Sequence, residues 1–78
     1  MIATLNQIPS GKTGIIQEIT TDQVTKERLE SLGLISGVDI AFIRKLPIGS
    51  TRIYKCLNTL VALRSDIAGK ILVELTDE

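Results

Sequence analysis

Apolar residues change their spacing at one place in this chain, between residues 32 and 38. Before it, from about Gln23 to Leu32, they recur at the intervals of one face of an α-helix. After it, they alternate with polar residues or form short runs rich in β-branched side chains, as strands do. The pattern therefore predicts one helix followed by a region that is almost entirely strand. The helix residues expected on the inner side are Val24, Thr25, Leu29 and Leu32.

Both ends of the predicted helix carry recognisable signals. Thr20, Thr21 and Asp22 are consecutive residues whose side chains can accept a hydrogen bond from the first free N–H groups of a helix. Gly33 follows the last apolar position, and helices often end in a residue at positive φ, which glycine adopts without a Cβ clash. Leu34 can then fold back onto the last turn, because an apolar contact usually accompanies this kind of cap.

Five short strands are predicted around this helix. Their approximate bounds are Gly14–Ile19, Val38–Ile43, Arg52–Leu57, Leu60–Arg64 and Lys70–Leu75. One helical turn, capped by Ser65, is expected before the last strand. Phe42 is assigned to the inner set, which leaves Tyr54 as the one aromatic residue available on the surface. Short strands joined by turns, in a chain too small for a sandwich, predict a mainly β fold in the form of a small, partly closed barrel.

Length and composition are typical of one small folded domain that spans residues 1–78. Its 78 residues are 44% hydrophobic, which is ample for a core and argues against disorder. No apolar run approaches the ~20 residues that a helix needs to cross a bilayer, so direct membrane insertion is not expected. Nine basic and nine acidic residues give a net charge of zero, and this argues against nucleic acid as the main partner. Arg44 and Lys45, with Arg52 and Lys55, can form a local basic cluster, but a solvated strand face is the favoured interpretation of these residues.

The sequence offers little material for catalysis or for a metal centre. There is no histidine, and Cys56 is the single cysteine, so a zinc or iron site within one chain is not expected. Ser10-Gly11-Lys12-Thr13 ends like a phosphate-binding loop, but Asn6 stands where that motif needs its first glycine. Cys56 lacks a histidine to activate it and is interpreted as a small core residue. We therefore expect no enzyme activity and no cofactor.

Several of these residues also resemble the ferrous iron transport protein A (FeoA) family. The segment Leu32-Gly33-Leu34-x-x-Gly37, with Pro47-x-Gly49 ten residues further on, carries most of the likeness. The resemblance implies an SH3-like barrel, of the kind that also ends iron-dependent repressors, in a cytoplasmic protein. It further implies an accessory role in ferrous iron uptake through contact with the membrane GTPase-transporter FeoB. Within the motif, Leu32, Gly33, Gly37 and Gly49 are interpreted as structural.

The surface that contacts such a partner is expected at the helix end and in the loop after the second predicted strand. Apolar residues in loops have less structural reason to be apolar than those in strands. The candidates are Leu34, Ile35, Pro47 and Ile48. Leu34 also has a structural interpretation, since it can pack on the helix end.

Two other functions fit the sequence. One is a standalone regulator, a free version of the repressor barrel that acts with a separate partner domain. The other is a metal-dependent homo-oligomer, in which carboxylates such as Glu18, Asp22 and Asp39 meet across subunits.

Overall fold

A computed structural model of the chain describes residues 1–76. Six strands and two helices follow in the order β1 (Ile2–Thr4), β2 (Thr13–Ile19), α1 (Gln23–Ser31), β3 (Asp39–Lys45), β4 (Thr51–Cys56), β5 (Thr59–Arg64), α2 (Ser65–Ala68) and β6 (Ile71–Leu75). A single 3₁₀ turn, Leu5–Gln7, follows β1. The mainly β prediction is confirmed, with one strand more than the five predicted.

The strands form one antiparallel sheet in the order β1-β6-β2-β3-β4-β5. β1 is the strand that the sequence did not reveal. It has only three residues, too few for a visible alternation, and it pairs with β6 at the far end of the chain, with Ile2 opposite Glu74. The backbone N–H of Leu75 also donates to the carbonyl of Met1 at 2.9 Å, so the two ends of the described chain lie side by side.

A single apolar core fills the interior. Its buried members are Leu5, Ile8, Ile16, Ile19, Leu29, Leu34, Ile40, Phe42, Tyr54, Cys56, Val61, Leu63, Ala68, Ile71 and Val73. Phe42 is buried as predicted, and Cys56 is a small core residue. Tyr54 is not on the surface but fully buried, with its ring centroid 5.5 Å from that of Phe42. The error arose because Tyr54 shares its face of β4 with Cys56, and that face turns inward.

The Tyr54 side chain crosses the core to reach the segment after β1. Its hydroxyl donates a hydrogen bond to the carbonyl of Leu5 at 3.3 Å. Burial raises the pKa of the phenol to about 12, and the nearby positive charge of Arg52 offsets only part of this rise. Tyr54 therefore links β4 to the 3₁₀ turn in its neutral form.

Helix α1 is fixed mainly at its two ends. Of the three candidate caps, Asp22 is the one used, and its carboxylate accepts from the backbone N–H of Thr25 at 3.0 Å. This hydrogen bond lowers the pKa of the Asp22 carboxyl. The predicted inner position of Leu29 is confirmed, and Thr25 is half-buried, but Val24 and Leu32 are exposed, so Leu29 is the one buried residue of α1.

Candidate partner-binding surface

The C-terminal end of α1 is a Schellman motif. The N–H of Gly33 donates to the carbonyl of Glu30, and the N–H of Leu34 donates to that of Leu29. Gly33 has φ +98°, in the region that other residues avoid. Leu34 is fully buried, like Leu29, as the apolar contact of this motif requires. The side chain of Leu34 is therefore not exposed in this fold, which favours its structural interpretation over a contact role.

Ile35 has a different position from its neighbour. The loop turns outward after Leu34, and Ile35 is 47% exposed. The carbonyl of Ile35 accepts from Val38, and the N–H of Gly37 donates to Ile16 on β2 at 2.7 Å. These bonds fix the loop backbone at both ends, so the exposed Ile35 side chain projects from a rigid segment.

The hairpin between β4 and β5 meets this loop. Leu57 and Asn58 are its two central residues and have φ of 53° and 63°. The Leu57 side chain lies so close to Gly33 that a Cβ there would be 3.3 Å from its Cδ1 atom. Three exposed apolar residues thus lie near Gly33. Leu32 and Ile35 are within two residues of it along the chain, and Leu57 approaches it from the hairpin. We call this group the cap surface.

Leu57 was missed as a surface residue by sequence reasoning. Alternation along β4 assigned it to a strand, whereas it is the first residue of the turn and is 64% exposed. The signal available was the Asn58 that follows it, because asparagine tolerates positive φ and marks two-residue hairpins. Moving the predicted turn back by one residue would have placed Leu57 on it.

Pro47 and Ile48 lie elsewhere. They occupy loop 46–50, which joins the last residue of β3 to β4, whereas Ile35 precedes the first residue of β3. Both side chains are exposed, and Ile48 is 85% exposed. A strand of seven residues spans about 20 Å, so these residues and Ile35 cannot form one small contact patch. The sequence candidates therefore divide into two surfaces at opposite ends of β3.

Cys56 lies directly beneath the cap surface but has no chemistry of its own. Its thiol is buried and donates a long hydrogen bond to the carbonyl of Gly33 at 3.6 Å. Burial raises the pKa of the thiol, and the negative charge of Asp39 raises it further. A thiol with a raised pKa is a poor nucleophile, so Cys56 serves to join β4 to the helix end.

The proposed metal-ligating carboxylates do not come together within one chain. Residues 1–76 contain no group of three or more His, Cys, Asp or Glu side chains placed to hold a metal ion. Asp22 is already engaged as the cap of α1. Over the same described residues, no helix has the length and hydropathy required to cross a membrane.

The family to which this chain belongs follows from its sequence profile. The FeoA domain model matches residues 3–75, which is nearly the whole chain. The chain belongs to the FeoA family. No curated protein matches it at a significant level. FeoA proteins are linked to ferrous iron transport, and a role in that process is therefore assigned to this family member.

Solved structures support the same conclusion. A crystal structure of an iron uptake regulatory protein (FeoA) has a TM-score of 0.87 and 25% identity, and the match covers 97% of this chain and 100% of that one. FeoA of Stenotrophomonas maltophilia, described as a prokaryotic SH3 domain protein and complexed with zinc, has a TM-score of 0.75 and 24% identity, with 91% and 88% covered. The SH3-like fold predicted for this FeoA-family chain is therefore confirmed.

The same fold occurs in metal-dependent repressors. A manganese-dependent transcriptional repressor matches 96% of this FeoA-family chain over 42% of its own length, with a TM-score of 0.86 and 18% identity. At that identity the likeness shows the fold alone. It accounts for the sequence resemblance to repressor barrels and gives no support to the standalone regulator.

Proposed function

We propose that this protein is a non-enzymatic accessory module of ferrous iron uptake that docks on the GTPase-transporter FeoB at the cytoplasmic side of the membrane. Family membership over residues 3–75 is the observation that carries the proposal. The one thiol of the chain is buried and its pKa is raised, which supports the non-enzymatic part of the proposal. A protein of this kind acts through its surface.

The surface proposed for docking is the cap surface, with Ile35 at its centre. Leu32, Ile35 and Leu57 are 49%, 47% and 64% exposed, so they contribute little to the core. Grouped apolar side chains on a small protein commonly mark a contact with another protein. Exposed aliphatic side chains on an ordered backbone can fill complementary pockets of a partner.

The backbone beneath this surface is already ordered. The Schellman bonds, the Gly37–Ile16 bond and the Cys56–Gly33 contact hold it from three sides. Binding then loses little conformational entropy, because the loop does not have to be ordered by the partner. This rigidity favours the cap surface over a flexible terminus as the docking site.

Affinity for the isolated GTPase domain of FeoB tests the proposal. Ile35→Asp places a charge in the proposed contact and is expected to weaken binding by about thirtyfold, the effect of losing a central interface residue. Ile48→Asp makes the same chemical change at the opposite end of β3, at a side chain 85% exposed. It serves as the matched control and should bind like the wild type. Thermal unfolding of both variants verifies that each is folded.

The two variants also define the contrary results. Equal binding by wild type and Ile35→Asp would remove the cap surface as the docking site. If Ile48→Asp alone weakened binding, the contact would lie at loop 46–50 instead. If the wild-type protein did not bind the GTPase domain or the whole transporter, the docking function itself would be wrong.

A further inference from the structure

The charges of this protein are separated along β3, although their formal sum is zero. The strand begins with the acidic Asp39 and ends with Arg44 and Lys45. Glu18 lies at the acidic end too, because β2 runs antiparallel to β3 with Ile15 opposite Asp39. The zero net charge, which argued against nucleic acid as the main partner, is thus compatible with one basic end of the protein.

Four basic residues surround loop 46–50. Arg44 and Lys45 precede the loop, and Arg52 follows it as the second residue of β4. Arg64 at the end of β5 lies opposite Thr51, and the next N–H along the chain, that of Ser65, donates to Ser50 at 2.9 Å. We call this group of four, together with Pro47 and Ile48, the basic end.

These positive charges are largely uncompensated. Lys45 lies directly opposite Arg52, and like charges in that relation destabilise a strand pair. The ion pairs within residues 1–76 join Met1 to Glu74 and Arg64 to Asp66, so no carboxylate of this part of the chain neutralises Arg44, Lys45 or Arg52. The Arg52 guanidinium instead lies over the Phe42 ring, 4.9 Å from its centroid. An anionic surface would relieve this repulsion.

The exposure of Ile48 favours an anionic lipid surface over nucleic acid as the partner of the basic end. Among the residues that the structure describes, Ile48 is the most exposed of the large apolar side chains, at 85%, and it belongs to a loop bordered by cations. A lipid headgroup layer accepts both features, since phosphates attract the cations and the acyl boundary accepts the isoleucine. Nucleic acid fits less well, because Phe42 and Tyr54 are buried and cannot stack on bases.

We propose that the basic end contacts an anionic lipid surface, with Ile48 inserted at the depth of the headgroups. The contact is peripheral and involves no spanning segment. It does not depend on the proposed docking to FeoB, because it uses the opposite end of β3. Together the two contacts would orient the barrel, with the cap surface directed away from the bilayer.

Vesicle co-sedimentation of the purified protein tests this inference without any transporter present. Wild type should bind vesicles of equimolar phosphatidylcholine and phosphatidylglycerol and should not bind phosphatidylcholine alone. Binding should weaken as salt is raised, because the attraction to the lipid phosphates is screened. A double-stranded DNA oligonucleotide serves as a soluble polyanion for comparison.

Two pairs of variants locate the contact. The double variant Arg44→Gln/Lys45→Gln should bind anionic vesicles about 25-fold more weakly, at about fivefold per basic residue. Its matched control is Lys55→Gln/Lys70→Gln, which removes two exposed lysines outside the basic end and should bind like wild type. Ile48→Ser should weaken binding about fivefold or more, whereas Ile35→Ser should not.

Several results would overturn the proposal. One is no binding of the wild type to anionic vesicles. Another is equal loss in the two double variants, since the attraction would then come from diffuse charge. A third is binding to the DNA oligonucleotide as tight as to vesicles and unaffected by Ile48→Ser, which would identify a general polyanion site. None of these results bears on affinity for the FeoB GTPase domain.

Discussion

The barrel and helix α1 are held in this fold by different means. Strands, turns and α2 supply all of the buried apolar residues except Leu29, which is the single one from α1. A groove of about 260 Å³, lined by Leu32 and Ala62 among others, separates α1 from β5. A helix of nine residues is too short to persist alone in water. Its position therefore rests on Leu29 and on the hydrogen bonds at its two ends.

This difference teaches that long-range burial and local backbone signals define separate parts of one small domain. Three of the five strand pairings join segments distant in the chain, as Ile2 of β1 pairs with Glu74 of β6. The helix is defined between Asp22 and Gly33, within a dozen residues. A part held locally can open without unfolding the remainder, so α1 should be the less stable of the two.

The largest expected effect comes from comparing substitutions at two buried positions, Ile16 in the barrel and Leu29 in α1. Ile16→Ala in β2 removes methyl groups from a fully buried site and should lower the free energy of unfolding by about 2–5 kcal/mol, measured by urea denaturation. Leu29→Ala should instead release α1, so that its amides lose hydrogen-exchange protection while those of β2 and β6 keep theirs. Equal loss of protection in the barrel and α1 after Leu29→Ala would show that they form one cooperative unit.

An intermediate effect is expected at the two glycines that follow α1. Gly33 and Gly37 have φ of +98° and +94°, so alanine at either should cost about 1–2 kcal/mol of stability. A Cβ at Gly37 has no neighbour within 4 Å, whereas one at Gly33 must displace the end of Leu57. Hydrogen exchange should show α1 weakened by Gly33→Ala and unaffected by Gly37→Ala. If Gly37→Ala weakened α1 and Gly33→Ala did not, the stability of α1 would depend on the loop and not on the helix cap.

The smallest expected effect concerns the N-cap. Asp22→Ala should lower the melting temperature by a few degrees at neutral pH, because the N–H of Thr25 loses its acceptor. The pKa of Asp22 is lowered below 3.8 in the folded protein, so its stabilisation is present above that pH and is lost as the pH falls through the folded value. The melting temperatures of wild type and variant should therefore converge in acid.

Asp22→Asn is the matched control for that measurement. Asparagine is also a good N-cap, so it should retain much of the stabilisation without a titrating group. A difference between wild type and Asp22→Ala that persisted in acid would show that the charge of Asp22 is not involved.

The features that sequence could predict were those with a local cause. Asp22 and Gly33 gave the ends of α1 because capping depends on neighbouring residues. The inward position of Phe42 followed from alternation within β3. β1 could not be predicted, because it needs a partner 70 residues away. The burial of Tyr54 was missed although alternation with Cys56, which was interpreted as a core residue, indicated it.

The candidate surface was predicted in part for the same reason. Apolar loop residues indicated Ile35 and Ile48, and both are exposed. Their separation to opposite ends of β3, and the approach of Leu57 to Gly33, result from strand pairing that no local pattern contains. Arg44, Lys45 and Arg52 could be grouped from the sequence, whereas Arg64 joins the basic end only through its register opposite Thr51.

The hydrogen bond from Leu75 to Met1 places the first residue next to the last strand, so a short linker could join the two ends. Because residue 1 lies beside residue 75, the strands could follow one another in a different order along the chain and still pair with the same neighbours. A circular permutant, closed by a short linker between these ends and opened in loop 46–50, can keep all five strand pairings. The barrel is thus defined by which strands are neighbours in the sheet, and the order of the strands along this chain is one of several that are compatible with it.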